Sequence, residues 1–133
     1  MKSKIIAAGL VVVVLLSLLA CATTPQPVSV DDSYSGKEVQ IATGGSLVVT
    51  LESNVTTGFK WELSGVTDQT VLQQDGEPEY VPPAASALGA GGTEVWTFKA
   101  LKAGTSTISM AYSRPWERGE KGVNTFNLTV VVK

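Results

Sequence analysis

Few side chains in this chain could carry out chemistry. Its 133 residues include no histidine and a single cysteine, Cys21, so the sequence lacks an imidazole base, a Cys/His pair and a Cys/His zinc cage. One cysteine also excludes an intramolecular disulfide framework. The carboxylates of Asp75, Glu77 and Glu79 lie close together, but no nucleophile or base is paired with them, which is typical of a solvated acidic loop. We therefore expect no enzyme activity, no metal and no cofactor.

The charge balance excludes nucleic acid as a partner. Lys and Arg together number 10 and Asp and Glu number 12, giving a formal net charge of -2. This composition provides no basic surface for a phosphate backbone. The length suits one domain. The sequence therefore indicates a small Gly-rich domain that works by shape and contact.

Three segments have more distinctive residue types than simple turns require. They are residues 52–58, 75–92 and 113–122. In the first, Asn54 is suited to an Asx turn and Gly58 to positive φ. Thr56 and Thr57 add hydroxyls on rotamer-limited side chains, which makes a stiff polar probe. The alternative is a polar chain reversal without a function.

The second segment, residues 75–92, is long for a loop in a compact domain and contains three prolines. Its end, Leu88–Gly92, lacks the lysine of a phosphate-binding loop and the third glycine of a dinucleotide fingerprint, so we do not expect nucleotide binding. A backbone almost free of side chains can instead approach another surface closely. The alternative is a flexible linker.

The third segment contains Arg114, Pro115, Trp116 and Glu117. Pro115 fixes its own φ and biases Arg114 toward an extended backbone, so the indole is presented from a restricted chain. Trp beside Arg is the composition of a binding hot spot. Alternatively, Trp116 folds back over the domain, with Arg114 and Glu117 solvated.

Short alternating segments separated by turn residues predict an all-β sandwich of about seven strands. Phe126, Leu128, Val130 and Val132 form one predicted core face, and Ile108, Met110 and Tyr112 another. We also expect Trp61 in the core, and Glu94 at the start of its strand reaching solvent. The Gly-centred turns at 43–45 and 102–104 are interpreted as reversals between paired strands. The predicted strands are Glu38–Ile41, Ser46–Leu51, Phe59–Leu63, Val71–Gln74, Thr93–Ala100, Thr105–Tyr112 and Val123–Val132.

The N-terminal residues are typical of an export signal. Lys2 and Lys4 precede an uncharged apolar run that is shorter than a membrane span. The sequence around Cys21 resembles the lipobox of bacterial lipoproteins, in which the cysteine carries the lipid. We therefore predict a signal peptide over residues 1–20 and a lipidated Cys21 with a flexible, Pro-containing tether over residues 21–36. The alternative is an uncleaved anchor with a buried cysteine.

Taken in order on an all-β background, Asn54–Phe59, Gly89–Gly92 and Arg114–Glu117 resemble the chagasin family of cysteine-peptidase inhibitors. The resemblance covers residues 37–133, which we expect to form the inhibitor domain. The chain departs from the family's usual pattern at two positions: Val55 stands where proline is common, and Phe59 stands where tyrosine is common.

The resemblance implies an immunoglobulin-like β-sandwich with three binding loops at one end, which inhibits papain-like cysteine peptidases reversibly and without a covalent bond. Thr56 and Thr57 would enter the catalytic cleft, with the second loop on one side and the third on the other. The peptidase-binding residues implied are Asn54, Thr56, Thr57, Gly58, Phe59, Leu88, Gly89, Ala90, Gly91, Gly92, Arg114, Pro115 and Trp116.

The expected setting is the cell envelope. Lipid on Cys21 would hold a monomeric inhibitor at the membrane, either the outer membrane facing the periplasm or the cell surface. A different class of function stays open: an immunoglobulin-like lipoprotein module that uses the same loops to bind another envelope protein or a glycan.

Overall fold

The computed structural model describes residues 25–84, 91–114 and 124–133. In these ranges, no helix has the length and apolar character needed to cross a membrane. The all-β prediction is confirmed, with nine described strands rather than about seven. The strands are β1 (Val28–Asp31), β2 (Glu38–Ile41), β3 (Ser46–Ser53), β4 (Lys60–Val66), β5 (Leu72–Gln74), β6 (Glu79–Val81), β7 (Gly92–Ala100), β8 (Gly104–Ser113) and β9 (Asn124–Val132), with 3₁₀ turns at Asp32–Tyr34 and Val55–Thr57.

The strands form two sheets that share one apolar core. The first sheet has the order β1-β3-β7-β5, and β6 pairs with β7 along the same edge as β5. The second sheet has the order β2-β9-β8-β4. Pairing is antiparallel except between β1 and β3 and between β2 and β9, which are parallel.

Period-two alternation determines which side chains enter the core. Along β7, Trp96, Phe98 and Ala100 are buried, while the residues between them are more exposed. The predicted faces are confirmed for Phe126, Leu128, Val130 and Val132 in β9 and for Ile108 and Met110 in β8. Trp61 is also buried, as predicted. Tyr112 is only half-buried and packs at the edge of the core.

Part of the segment predicted as a flexible tether forms a strand of the sandwich. β1 lies within residues 21–36 and pairs with β3 from Val28↔Leu47 to Asp31↔Thr50, and Val30 is buried. The prediction was wrong from Val28 onward, because a four-residue strand gains its stability from a distant parallel partner and carries only a weak local pattern. β6 was missed for a similar reason, since it interrupts residues that we predicted as one long loop.

Two further predictions were wrong. The turns at 43–45 and 102–104 join strands of different sheets, β2 to β3 and β7 to β8, so they are corners of the sandwich rather than hairpins. Glu94 does not reach solvent, since only 7% of its surface is exposed. Its inward position follows the alternation of β7, and two hydrogen bonds to its carboxylate offset the cost of burial.

A buried serine fastens the crossing from β4 to β5. The Ser106 hydroxyl is fully buried in β8, accepts from the Asp68 N–H at 3.0 Å and donates to the Asp68 carbonyl at 3.0 Å. The Asp68 carboxylate accepts in turn from the Thr70 hydroxyl and N–H, and these bonds lower the pKa of Asp68. One hydroxyl therefore fixes the path of the chain between the two sheets.

We expect Ser106→Ala to lower the free energy of unfolding by about 1–3 kcal/mol, because both backbone groups of Asp68 lose their partner in a partly buried position. Urea denaturation provides the measurement. The control is Ser109→Ala, on the outward face of the same strand, which should cost less. Equal losses in the two variants would contradict a fastening role for Ser106.

Candidate functional site

Three connections leave the sandwich at the same end, which we call the loop end. Loop 1 (residues 54–59) joins β3 to β4, loop 2 (residues 82–91) joins β6 to β7, and loop 3 (residues 114–123) joins β8 to β9. The strand registers bring their bases together, because the paired residues next to the loops are Ser53↔Gly92, Lys60↔Ser113 and Tyr112↔Asn124. Ser53, Gly91, Gly92, Tyr112 and Asn124 are among the residues that line one open cavity of about 420 Å³.

Loop 1 is closed by the side chain and carbonyl of Asn54, as predicted. The Asn54 carboxamide oxygen accepts from the Thr56 N–H at 3.2 Å, and the Asn54 carbonyl accepts from the Thr57 N–H at 3.2 Å. Gly58 then reverses the chain with a φ of 79°, a left-handed conformation that favours glycine. Loop 1 is therefore one 3₁₀ turn with a defined start and end.

The hydroxyls of the two exposed threonines are used inside loop 1. Thr56 Oγ1 donates to the Asn54 carboxamide oxygen at 2.6 Å, and Thr57 Oγ1 donates to the Asn54 carbonyl at 2.7 Å. These bonds restrain the rotamers of both threonines, and the Phe59 N–H also donates to Thr57 Oγ1 at 3.4 Å. Thr56 and Thr57 are therefore stiff side chains whose hydroxyls already donate within loop 1.

Aromatic rings attach loop 1 to the base of loop 3. Phe59 stacks on Tyr112 with ring centroids 5.3 Å apart, and the Trp61 ring is tilted against Tyr112 with centroids 5.1 Å apart. The Tyr112 hydroxyl accepts from the Asn54 N–H at 2.9 Å. Tyr112 therefore holds loop 1 at its first residue through a hydrogen bond and at its last residue through a ring.

Arg114, the first residue of loop 3, is bound to loop 1. Its Nε donates to the Thr57 carbonyl at 3.0 Å, and its guanidinium lies 4.4 Å from the centroid of Phe59. A guanidinium over a ring at this distance adds a cation–π attraction. Arg114 therefore links loops 1 and 3 directly, in addition to any contact it makes with a partner.

The end of loop 2 packs closely on loop 1. A Cβ atom at Gly91 would lie 3.3 Å from the Ser53 carbonyl oxygen and 3.5 Å from the Asn54 Cβ. A Cβ atom at Gly92 would overlap the Val81 carbonyl oxygen and approach the Tyr80 hydroxyl oxygen to 2.6 Å. Glycine at 92 is thus required by the close passage of β6, and glycine at 91 lets loop 2 lie against loop 1.

The structure brings together Asn54, Thr56, Thr57, Gly58, Phe59, Gly91, Gly92 and Arg114 from the predicted site. Leu88, Gly89, Ala90, Pro115, Trp116 and the predicted lipidation residue Cys21 lie outside the described residues. Sequence reasoning did not assign site roles to Tyr112 and Glu94. Tyr112 was assigned to the core because it shares the alternation of β8, and no local pattern distinguishes a ring that supports a loop from one that fills a core.

A comparison with protein-family models matches residues 40–130 to the family described as Chagasin family peptidase inhibitor. The match covers more than half of the chain, including loop 1, loop 2 and loop 3. The chain belongs to the chagasin family of peptidase inhibitors. The function that accompanies this membership is the inhibition of cysteine peptidases.

One curated relative and two solved structures are similar to this chain. The chain is 36% identical over 89 residues to chagasin of Trypanosoma cruzi. The matched region covers 65% of this chain and 81% of chagasin. The crystal structure of a cysteine protease inhibitor from Entamoeba histolytica superimposes with a TM-score of 0.66 at 21% identity, covering 81% of this chain and 96% of that one. A structure of PbICP-C in complex with falcipain-2 superimposes with a TM-score of 0.56 at 20% identity, covering 84% and 93%.

We expect Tyr112→Phe to loosen loop 1 while leaving the aromatic cluster in place. The variant keeps the ring that stacks on Phe59 but removes the acceptor of the Asn54 N–H, at a cost of about 0.5–1.5 kcal/mol. Amide hydrogen exchange followed by NMR should show faster exchange at Asn54, Thr56 and Thr57. Tyr34→Phe, in the 3₁₀ turn after β1, is the matched control and should leave these amides unchanged. If both variants exchange alike in loop 1, Tyr112 does not hold it.

Proposed function

We propose that this chain inhibits papain-like cysteine peptidases by filling the active-site cleft with loops 1, 2 and 3. The observation that carries the proposal is the proximity of loop 1 to both neighbours, through the hydrogen bond of Arg114 on one side and the close approach of Gly91 on the other. These contacts make loop 1 the centre of a single surface at the loop end. Membership of the chagasin family supports the same role for this surface.

The proposed block is steric and reversible. A papain-like peptidase attacks with a thiolate paired with histidine, and loops 1 and 2 contain no ionisable side chain that could react with that pair. An inhibitor of this kind gains affinity from loops that are ordered before binding, because less conformational entropy is lost on association. The hydrogen bonds of Asn54 and Tyr112 provide that order in loop 1. The expected interface buries roughly 1,200–2,000 Å².

Titration of papain with purified residues 22–133 tests the proposal. We expect activity to fall in proportion to added inhibitor, with one chain per enzyme molecule, and to return on dilution. Mass spectrometry should recover the inhibitor intact and without a covalent adduct. An absence of inhibition at micromolar concentrations would contradict the proposal and favour a module that binds another envelope component.

The same titration assigns a role to Trp116. We expect Trp116→Ala to weaken inhibition by about 2 kcal/mol or more, since buried Trp residues dominate many interfaces. Leu101→Ala provides the control, because Leu101 is an exposed apolar residue beyond the far end of β7 from loop 2. An unchanged inhibition constant for Trp116→Ala would remove Trp116 from the interface.

We further propose that the mature protein is held at the bacterial cell envelope by lipid on Cys21. The path of the first described residues suits this arrangement. β1 begins beside Leu47, near the start of β3, whereas loop 1 follows the end of β3. Pro25 lies against the turn at Gly45, also at the end of the sandwich away from the loops. A tether that enters there would leave loops 1 to 3 facing away from the membrane.

Reconstitution of the lipidated protein in phospholipid vesicles tests this arrangement. We expect the vesicle-bound protein to inhibit papain as strongly as soluble residues 22–133, because Pro25 and the bases of the three loops lie at opposite ends of the sandwich. Cys21→Ser should remain out of the membrane fraction and keep its full inhibition constant. If Cys21→Ser stays in the membrane fraction, the N-terminal segment is an uncleaved anchor and lipid attachment is not required.

A further inference from the structure

A buried carboxylate lies between the two ends of loop 1. Ser53, the last residue of β3, donates from its hydroxyl to Glu94 Oε2 at 2.6 Å. Trp61, near the start of β4, donates from its backbone N–H to the same oxygen at 3.1 Å. Glu94 is 7% exposed and Ser53 is 2% exposed. One carboxylate oxygen thus holds the chain immediately before loop 1 and shortly after it.

These bonds also cross between the sheets. Ser53 and Glu94 belong to the first sheet, whereas Trp61 belongs to the second. The Trp61 indole N–H donates back to the Glu52 carbonyl at 2.9 Å, which adds a second link between the two sides. The separation of β3 and β4 at the base of loop 1 is therefore set by three hydrogen bonds. We call this set the Glu94 bracket.

The Glu94 bracket also reaches the stem of loop 2. Glu94 lies two residues after Gly92 and pairs with Tyr80 of β6 on one side and Leu51 of β3 on the other. Any displacement of Glu94 along β7 would therefore shift the end of loop 2 relative to the start of loop 1.

A carboxylate is not the residue that packing alone would select at this position. The other inward side chains of β7, at Trp96, Phe98 and Ala100, are apolar, and a buried charge is costly unless hydrogen bonds compensate it. A carboxylate accepts without donating and makes short, strong hydrogen bonds. The chemistry at position 94 therefore suits the fixing of two donors, Ser53 Oγ and Trp61 N, at a set separation.

We propose that Glu94 is a positioning residue for inhibition, which holds the two ends of loop 1 so that Thr56 and Thr57 meet the peptidase in a prearranged geometry. Glu94 lies beneath the loop and acts through Ser53 and Trp61 rather than through contact with the enzyme. This inference rests on the proposed function, because it assigns loop 1 to the peptidase cleft.

The experiment compares Glu94→Gln, Glu94→Leu and a matched core variant in the full domain. Gln keeps an acceptor oxygen for both donors, whereas Leu keeps the volume but removes the acceptor. We expect Glu94→Leu to raise the inhibition constant for papain about tenfold or more, since two buried donors lose their partner and the loop is no longer held. Glu94→Gln should restore inhibition to within a few-fold of the wild type.

Leu72→Ala separates positioning from stability. Leu72 is fully buried and pairs with Ala100 at the far end of β7, so its truncation lowers stability without touching loop 1. At a temperature where all variants are folded, Leu72→Ala should keep the wild-type inhibition constant. If Glu94→Leu inhibits as well as Leu72→Ala, the positioning role is wrong.

Amide hydrogen exchange in the free protein provides a readout that does not depend on the peptidase. The Thr56, Thr57 and Gly58 amides are hydrogen-bonded within loop 1. They should exchange faster in Glu94→Leu, but not in Glu94→Gln or Leu72→Ala. If Glu94→Leu does not fold, Ser53→Ala removes one donor and should give a smaller increase in exchange. Unchanged exchange in the folded variant would overturn the inference. A wild-type protein that fails to inhibit papain would instead overturn the proposed function. The exchange measurement would then still show whether Glu94 holds loop 1.

Discussion

The loop end depends on the register of β7 in the first sheet. β7 pairs with β3 along its length and with β6 and β5 on its other edge, so neighbours on both sides fix its position. Its side chains alternate, and a shift of one residue would turn every inward group outward. Glycine at 92 would then no longer lie under the Tyr80 hydroxyl, and Glu94 would leave both ends of loop 1. The same pairing that buries Trp96 and Phe98 therefore also sets the site.

Buried hydrogen bonds supplement apolar packing at both ends of the sandwich, through Ser106 near the far end and through Glu94 at the loop end. Near the far end, fully buried apolar side chains such as Leu72, Phe98 and Val130 fill the space between the sheets. At the loop end, hydrogen-bonded groups of Ser53 and Glu94 replace part of that packing. Apolar burial has no preferred direction, whereas a hydrogen bond weakens quickly with distance and angle. An end that must present loops in one arrangement benefits from the stricter interaction.

The sequence alone was sufficient for elements whose pattern is local. β2 was predicted with its observed bounds, and the inward face of β9 follows from strict alternation at Phe126, Leu128, Val130 and Val132. The Asx turn at Asn54 and the positive φ at Gly58 were also predicted, because both are determined within a few residues. Interactions between distant residues were not accessible in this way. The four residues of β1 have no local sign of their partner β3, and the two corner turns have the same composition as hairpin turns.

The burial of Glu94 likewise could not be predicted from its local sequence. Its place in the alternation indicated burial, but the charge of a carboxylate favoured solvent, and the two arguments conflicted. Glu94 is buried because Ser53 and Trp61 donate hydrogen bonds to it, and these residues are 41 and 33 positions away in the sequence. Neither donor could be assigned to Glu94 before the fold was known. A buried charge is predictable only together with its partners.

The stiffness of loop 1 comes from side chains rather than from a proline ring. Val55 occupies the first position of the 3₁₀ turn and is 51% exposed. A proline at this position would restrict the unfolded chain and so raise the free energy of unfolding by about 0.4–1 kcal/mol. The Asn54 N–H bonded to Tyr112 and the Asn54 carboxamide bonded to Thr56 each contribute about 0.5–1.5 kcal/mol. These bonds act in the folded state and fix the direction of the loop as well as its shape. Because they offset what the missing ring would contribute, Val55 leaves loop 1 ordered and adds an exposed apolar surface at its start.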